Sequence, residues 1–248
     1  MAVNRSLARA FTILEFLSAH GAQRLAEVAE GCALPAPTAL RMLRSLQELG
    51  YASQREGRWR LTARLRGLMP DGAAHRSAQI QLENLARATG KTAFLVVAEG
   101  DEALYLQRAL PPDSALVATG RIGRRAPLYC TGVGKVLLAA RRDAEVTRYL
   151  AEYRLKRLTA TTLTSKAALR AVLTAIRAQG YGLDREECEP GVFCVAVPVV
   201  DAGGAVIAAL SVSGARASFD EQHLKSLVAR VQAYAHELAH ETAGETFC

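Results

Sequence analysis

The first part of the chain alternates between two kinds of hydrophobic spacing. Leu7, Phe11, Leu14 and Leu17, with Ala10 and Ile13 beside them, recur at the helical period and predict a helix over residues 6–19 with Ser6 as its N-cap. Leu25, Val28 and Ala29 predict a short second helix over 24–30, ended by Gly31. After Cys32-Ala33-Leu34, Pro35 and Pro37 announce a third helix, because proline suits a first helical turn. It runs to Leu49, with Ala39, Leu43, Leu46 and Leu49 on one face, and stops at Gly50. Tyr51–Leu61 then carries a turn at Glu56-Gly57 between two extended runs, the pattern of a hairpin. Helix, helix, tight turn, helix and hairpin in this order predict a winged helix-turn-helix over residues 1–68.

Met69-Pro70-Asp71-Gly72 breaks any helix begun at Thr62–Leu68, and a helix is predicted from Ser77 to Thr89 with Ile80, Leu82, Leu85 and Ala86 apolar. Residues 69–89 thus form a linker helix region. From Lys91 strands and helices mix. Strands are predicted at Thr92–Ala98, Leu104–Leu110, Val192–Val200 and Ala205–Ser213. Helices are predicted at Val133–Arg141, Ala144–Tyr153, Lys166–Gln179 and Asp220–His240. This second part, residues 90–248, is α+β, a mainly antiparallel sheet packed by helices.

Composition narrows the class. The 248 residues are 50% hydrophobic and 22% charged, enough to bury one large core or two smaller ones. No window approaches the apolar length of a membrane span, and Met1–Arg9 lacks the apolar core of a secretion signal. The five cysteines include no C-x-x-C pair, which fits a reducing cytoplasm better than a disulfide scaffold. Of the net charge of +7, five units fall in residues 1–70, which hold 10 Arg, no Lys and 5 Glu.

Arginine suits bidentate contact with phosphate and guanine, so the third helix is the candidate major-groove reader. Its face opposite the core carries Thr38, Leu40, Arg41, Arg44 and Ser45, and the hairpin adds Arg55, Arg58 and Arg60 as backbone contacts. A solvated amphipathic helix in an ordinary α-helical domain would carry the same residues.

Three other motifs are weaker. His236-Glu237-Leu238-Ala239-His240 spells the zinc-protease H-E-x-x-H. At about 100° per residue from the stripe Leu224, Leu227, Val228, Val231, Ala235 and Leu238, His236 lies near 120° and His240 near 160°. Both point away from the core, so no metal site is expected. Gly132-Val133-Gly134-Lys135 evokes a phosphate loop but lacks the earlier glycine and the Ser/Thr after Lys. Read structurally, it is a turn into a helix with free backbone N–H groups that suit a small carboxylate. Cys130, Cys188 and Cys194 raise redox sensing or thiol catalysis, yet Cys194 sits in the apolar run Phe193–Val197, where a buried inert thiol is the commoner case. Asp184, after Gly180-Tyr181-Gly182, is either a solvated loop residue or a carboxylate at a pocket mouth.

Taken together the residues resemble the IclR family of bacterial transcriptional regulators over essentially the whole chain. Matching segments are Arg9-Ala10-Phe11-x-Ile13-Leu14, Thr38–Tyr51 and Arg58-Trp59-Arg60-Leu61. More specific are Gly123-x-x-Ala126-Pro127-Leu128-x-x-Thr131-Gly132-x-Gly134-Lys135, Gly180-Tyr181-x-x-Asp184-x-Glu186-Glu187-x-Glu189-Pro190-Gly191-Val192-x-Cys194, and Leu210-Ser211-Val212-Ser213-Gly214. The resemblance implies a GAF-like effector-binding domain after the linker helix. It also implies homodimers or dimers of dimers on palindromic double-stranded operators, no catalysis and no cofactor. Control by a small organic acid, often aromatic or central-metabolic, is implied as well. The effector contacts it implies are Gly132, Val133, Asp184, Cys194, Ser211 and Ser213. Ala118, Ala126 and Leu128 are expected near the wall, where the small alanines leave room for a ring. Two departures stand out: a short stretch between Leu61 and Leu82 holding Pro70-Asp71-Gly72, and Pro37 and Leu40 where hydroxyl and polar residues are usual. The alternatives are a ligand-independent DNA-binding protein whose second domain only oligomerises, and a metal hydrolase through His236, Glu237 and His240.

Overall fold

The computed structural model describes residues 4–62, 64–65, 73–112 and 121–241, divided between two compact units, Met1–Asp71 and Gly72–Cys248. Among the described residues no helix is long and apolar enough to cross a membrane.

The first unit contains α1 (Arg5–His20), β1 (Gln23–Arg24), α2 (Leu25–Gly31), α3 (Ala36–Glu48), β2 (Ala52–Arg55) and β3 (Arg58–Leu61). Ile13, Leu17, Val28, Leu43, Leu46 and Trp59 form its core, so the predicted apolar stripes converge as their spacing requires. Four details differ from expectation. Asn4, not Ser6, caps α1, its Oδ1 accepting from the backbone N–H of Ser6 and Leu7 at 3.0 and 3.3 Å. Gly31 is the last residue of α2; a Cβ there would strike the Phe16 ring, so glycine is held by packing. Leu49 follows the end of α3 and is 58% exposed, outside the core. Finally β1, two polar residues without a pattern, joins the hairpin through Gln23 opposite Trp59 and gives the order β1-β3-β2. The hairpin turn falls at Glu56-Gly57, both at positive φ (53° and 74°), as a tight two-residue turn demands.

The second unit begins with α4 (Ala73–Thr89) and continues through β4 (Thr92–Glu99), β5 (Glu102–Ala109) and β6 (Arg125–Pro127). Helices α5 (Gly132–Ala139), α6 (Asp143–Glu152) and α7 (Lys166–Gln179) follow. Then come β7 (Gly182–Arg185), β8 (Val192–Val200), β9 (Val206–Ala215) and α8 (Leu224–Glu241). The strands make one antiparallel sheet in the order β6-β5-β4-β9-β8-β7. Ala93, Leu95, Phe193, Val195, Leu210 and Val212 face one side with α4 and α8; Phe94, Val96, Cys194, Ala196 and Ala209 face the other with α5, α6 and α7. Because both faces are covered, Val192–Val200 reads as a continuous apolar run without alternation.

The expected linker helix therefore packs on the sheet of the second unit, through Ala78, Leu82, Leu85 and Ala86. Ile80 points the other way and is 57% exposed. His236 and His240 are exposed on α8, opposite the buried Val228, Val231, Ala235 and Leu238. Met69–Gly72 and Ala118 lie outside the described residues.

Candidate functional site

In the first unit α3 buries Ala39, Leu43 and Leu46 and leaves Arg41, Arg44 and Ser45 exposed along one side. Thr38 is half-buried in the first turn. Leu40 is half-buried too and packs against the core, so less of it is free to meet a base than the sequence implies. On the hairpin Arg55 stands opposite Arg58, and Arg60 opposite Ser53, so the three arginines share the outer face. Arg58 is partly committed within the unit: its Nη1 donates to the Ala22 carbonyl at 3.4 Å and lies 3.7 Å from the Glu27 carboxylate. Arg55 pairs only loosely with Glu56, at 3.9 Å between largely exposed side chains.

In the second unit the register stacks two transverse rows on the α5 side of the sheet. Asp184, Cys194, Ser213 and Thr92 are successive partners across β7, β8, β9 and β4. Gly182, Ala196, Ser211 and Phe94 form the next row. Helix α5 lies over them, its start fixed by Thr131, whose Oγ1 accepts from the Gly134 N–H at 3.0 Å. A Cβ on Gly134 would come within 2.6 Å of the Leu128 backbone, so glycine lets the preceding turn fold tightly against the helix. Gly132 and Val133 occupy the first turn, where no helical carbonyl can reach their N–H groups.

A cavity of about 30 Å³ opens beside this helix start. Gly132, Asp184, Cys194 and Ser213 line it together with residues not expected as effector contacts: Thr131, Phe94, Tyr105, Arg124, Cys188, Glu189 and Val192. Phe94 and Tyr105 meet edge to face, ring centroids 5.3 Å apart. The Arg124 guanidinium donates to Glu189 Oε1 at 2.5 Å and lies over the Tyr105 ring. Four expected contacts do not reach the cavity wall. Val133 and Ser211 are 1% exposed behind it, and Ala126 and Leu128 are buried in the adjoining core. The aromatic pair, not those small side chains, bounds the space. No short-range signal marks Arg124, since its partners are Tyr105 of β5 and Cys188 and Glu189 of the turn between β7 and β8.

Asp184 is 4% exposed, in strand β7 rather than a solvated loop. Its Oδ1 accepts from the Glu187 N–H at 2.7 Å. Burial pushes its carboxyl up to about 7, against the opposing pull of that N–H and of the Lys135 ammonium. Burial likewise pushes the Cys194 thiol up to about 12, so it stays protonated beside the hydroxyls of Ser213 and Ser211. Lys135 does not point at a phosphate site. It is buried and paired with Glu187.

Comparison with known proteins agrees with this architecture. The model of the IclR helix-turn-helix domain matches residues 6–56, and that of the bacterial transcriptional regulator IclR C-terminal domain matches residues 74–240. The chain belongs to the IclR family. It is 38% identical over 243 residues to the HTH-type transcriptional regulator KdgR of Escherichia coli, covering 94% of this chain and 91% of that one. The crystal structure of IclR from Thermotoga maritima superposes with a TM-score of 0.77 at 28% identity, covering 95% and 98% of the two chains. An IclR homologue from Microbacterium hydrocarbonoxydans complexed with 4-hydroxybenzoate superposes with a TM-score of 0.73 at 26% identity, with the same coverage. Like its relatives, this IclR-type chain is a DNA-binding transcriptional regulator with an N-terminal helix-turn-helix and a C-terminal effector domain.

Proposed function

We propose that the regulator senses a small organic acid in the cavity at the start of α5, and that occupancy changes its affinity for a palindromic operator. The observation that carries this reading is the convergence on one cavity of a guanidinium, Arg124, and the N-terminal turn of a buried helix, Gly132. Both favour a carboxylate, the first by charge-assisted hydrogen bonds and the second by oriented N–H dipoles. The hydroxyl of Ser213 and the carboxyl of Asp184 line the same cavity and are suited to meet a hydroxyl or keto oxygen on the same ligand. Glu189 is the partner of Arg124 within the chain, and the carboxylate of an acid competes with it for the guanidinium. The 4-hydroxybenzoate complex of a structural relative supports an acid as the ligand class.

Size limits the choice. About 30 Å³ holds two or three water-sized centres, since one needs roughly 10–15 Å³. A short acid enters this form with little change, whereas a ring requires Phe94 and Tyr105 to part. Operator contact is assigned to Thr38, Arg41, Arg44 and Ser45 on α3, with Arg55, Arg58 and Arg60 on the backbone. In a cytoplasmic homodimer, or a dimer of dimers, the ligand shifts the populations of two arrangements of the DNA-binding units by its differential affinity for them.

The test is a thermal-melting screen of the full chain against acids from glyoxylate and pyruvate to substituted benzoates. A ligand at a hundred times its dissociation constant adds about 2.7 kcal/mol. A stabilising acid that loses its effect in Arg124→Ala and alters operator retention in gel shifts establishes the reading. Silence across the panel, with operator binding intact, favours a second unit that only oligomerises.

A further inference from the structure

From Tyr153 to Leu183 the chain carries six cations and no Asp or Glu. Five of them, Arg154, Lys156, Arg157, Lys166 and Arg170, are exposed and lie around the end of α6 and the start of α7. Lys166 donates to the Ala151 carbonyl at 3.2 Å and Arg170 Nη2 to Thr147 Oγ1 at 3.1 Å, so both lean on α6 near where Arg154 leaves it. Lys156 and Arg157 follow Arg154 within three residues, at most about 10 Å of extended chain. Arg157 Nη1 donates to the Ala160 carbonyl at 3.1 Å.

None of the five forms an ion pair among the described residues, whereas the arginines beside them do. Arg141 and Arg148 meet Asp101 at 2.7 and 3.2 Å, Arg142 meets Glu145 at 3.1 Å, and Arg177 meets Asp143 at 2.6 Å. Glu152, the last acid before the stretch, stands 3.7 Å from Arg148. The acids of α6 are thus shared out among other arginines, and five positive charges are left unmatched. The loop that carries three of them is fixed. Thr162 Oγ1 accepts from the Leu158 and Thr159 N–H groups at 3.0 and 2.8 Å and donates to the Glu187 carbonyl at 2.7 Å. Tyr129 Oη donates to the Lys156 carbonyl at 2.8 Å, and Leu155 and Leu163 pack against the core. The fold therefore holds like charges together against their repulsion, and an anion from outside relieves it without ordering the backbone anew.

We propose that these five side chains hold the phosphate backbone of duplex DNA, so that the second unit grips DNA without reading its sequence. Three of the five are arginines, which suit phosphate oxygens, and the exposed hydroxyl residues Thr164 and Ser165 stand among them, as at phosphate contacts generally. An acidic protein fits less well. Leu158 is the one large apolar side chain exposed in the stretch and no aromatic is exposed there, whereas protein interfaces are rich in aromatics. DNA is also the polyanion that the first unit holds. Once that unit is bound, the second meets the same duplex at an effective concentration set by the tether, so weak contacts add to affinity. Duplex DNA carries one charge per about 1.7 Å of its axis, and a cluster of five cations meets several phosphates at once.

The experiment is lysine footprinting of the full chain on a random-sequence duplex several helical turns long, which requires no operator. The chain has five lysines, Lys91, Lys135, Lys156, Lys166 and Lys225, all in the second unit, so no lysine signal arises from the first. The free chain and the complex at low salt are acetylated briefly with acetic anhydride, and each lysine is read by peptide mass mapping. Lys156 and Lys166 are expected to be protected several-fold in the complex, while exposed Lys225 reacts as in the free chain. Added salt is expected to remove the protection. Unchanged acetylation of Lys156 and Lys166 in a complex that gel shift shows fully formed overturns the proposal and leaves an acidic protein as the partner. Equal protection of Lys225 overturns it too. A second measurement is the salt dependence of binding to the same duplex. Arg154→Gln, Lys156→Gln and Arg157→Gln together are expected to make the slope of log K against log salt shallower by about 2–3, at about 0.9 per phosphate contact. Arg87→Gln, Arg121→Gln and Lys225→Gln together remove the same charge elsewhere on the unit and are expected to leave the slope unchanged. All six side chains are exposed, so both variants keep the melting temperature. Equal slopes in the two variants overturn the proposal.

Discussion

Lys135 of α5 carries its ammonium to the Glu187 carboxylate inside the second unit, with the two side chains only 2% and 9% exposed. The pair ties the helix that begins the cavity to the turn that closes it. Glu187 also accepts from Thr162 Oγ1 through its carbonyl at 2.7 Å and gives its N–H to Asp184, so three segments meet at one residue.

Removing one member of this pair leaves an uncompensated buried charge. Lys135→Ala or Glu187→Ala is expected to destabilise the second unit by about 3–5 kcal/mol, whereas replacing both by apolar residues of similar volume costs far less. Denaturant unfolding of the two single variants and the double variant measures the difference, and equal losses in all three would refute the pairing.

Asp184 gives stability a pH dependence of known sign. Its carboxyl titrates at about 7 in the folded chain, above the unfolded value near 3.9, so the folded state binds the extra proton between those limits. Its contribution is fully favourable below the lower limit and is lost as pH rises through about 7, at about 1.4 kcal/mol per unit crossed. The charged groups facing it, Lys135 and Glu187, keep their own partner. Asp184→Asn keeps the acceptor for the Glu187 N–H and is expected to flatten this slope. Unfolding curves between pH 5 and 8 check it, and an identical slope in the variant rules the assignment out.

On α3, Arg41→Ala and Arg44→Ala are each expected to weaken operator binding by about 1–3 kcal/mol with an unchanged melting temperature, because neither side chain packs in the core. Arg58→Ala is expected to lower both, since Arg58 also holds Ala22 and Glu27. Gel-shift titration beside a melting curve separates the two behaviours.

Ser213 lines the cavity and Ser211 stands one row behind it. Ser213→Ala is therefore expected to reduce the melting shift produced by an acid more than Ser211→Ala, with operator binding intact in both. The reverse order would place the ligand deeper than the cavity at the start of α5.

Much of this was legible in the residues. The turn at Glu56-Gly57, the stripe Ala39-Leu43-Leu46 and the helix Lys166–Gln179 follow from local spacing and turn chemistry alone. What escaped was set by distant partners. Gln23-Arg24, Arg125–Pro127 and Gly182–Arg185 have no strand pattern of their own and become strands only because an edge is available to pair with. Lys135 stands in a segment that only evokes a phosphate loop, and nothing local announces its true partner, because that counter-ion is 52 residues away. The cavity split the same way. Asp184, Cys194 and Ser213 come from the family signature, whereas Phe94, Tyr105 and Arg124 reach the site only through register.

Trp59, the chain's single tryptophan, is 1% exposed in the hairpin of the first unit. Its indole N–H finds no acceptor among the described residues, so its emission belongs to a dry, apolar setting and shifts to the red when water enters. Six of the seven tyrosines lie in the second unit. Excitation selective for indole therefore follows only the DNA-binding unit, and a melt recorded in both channels gives each half of the regulator its own optical signature without any attached label.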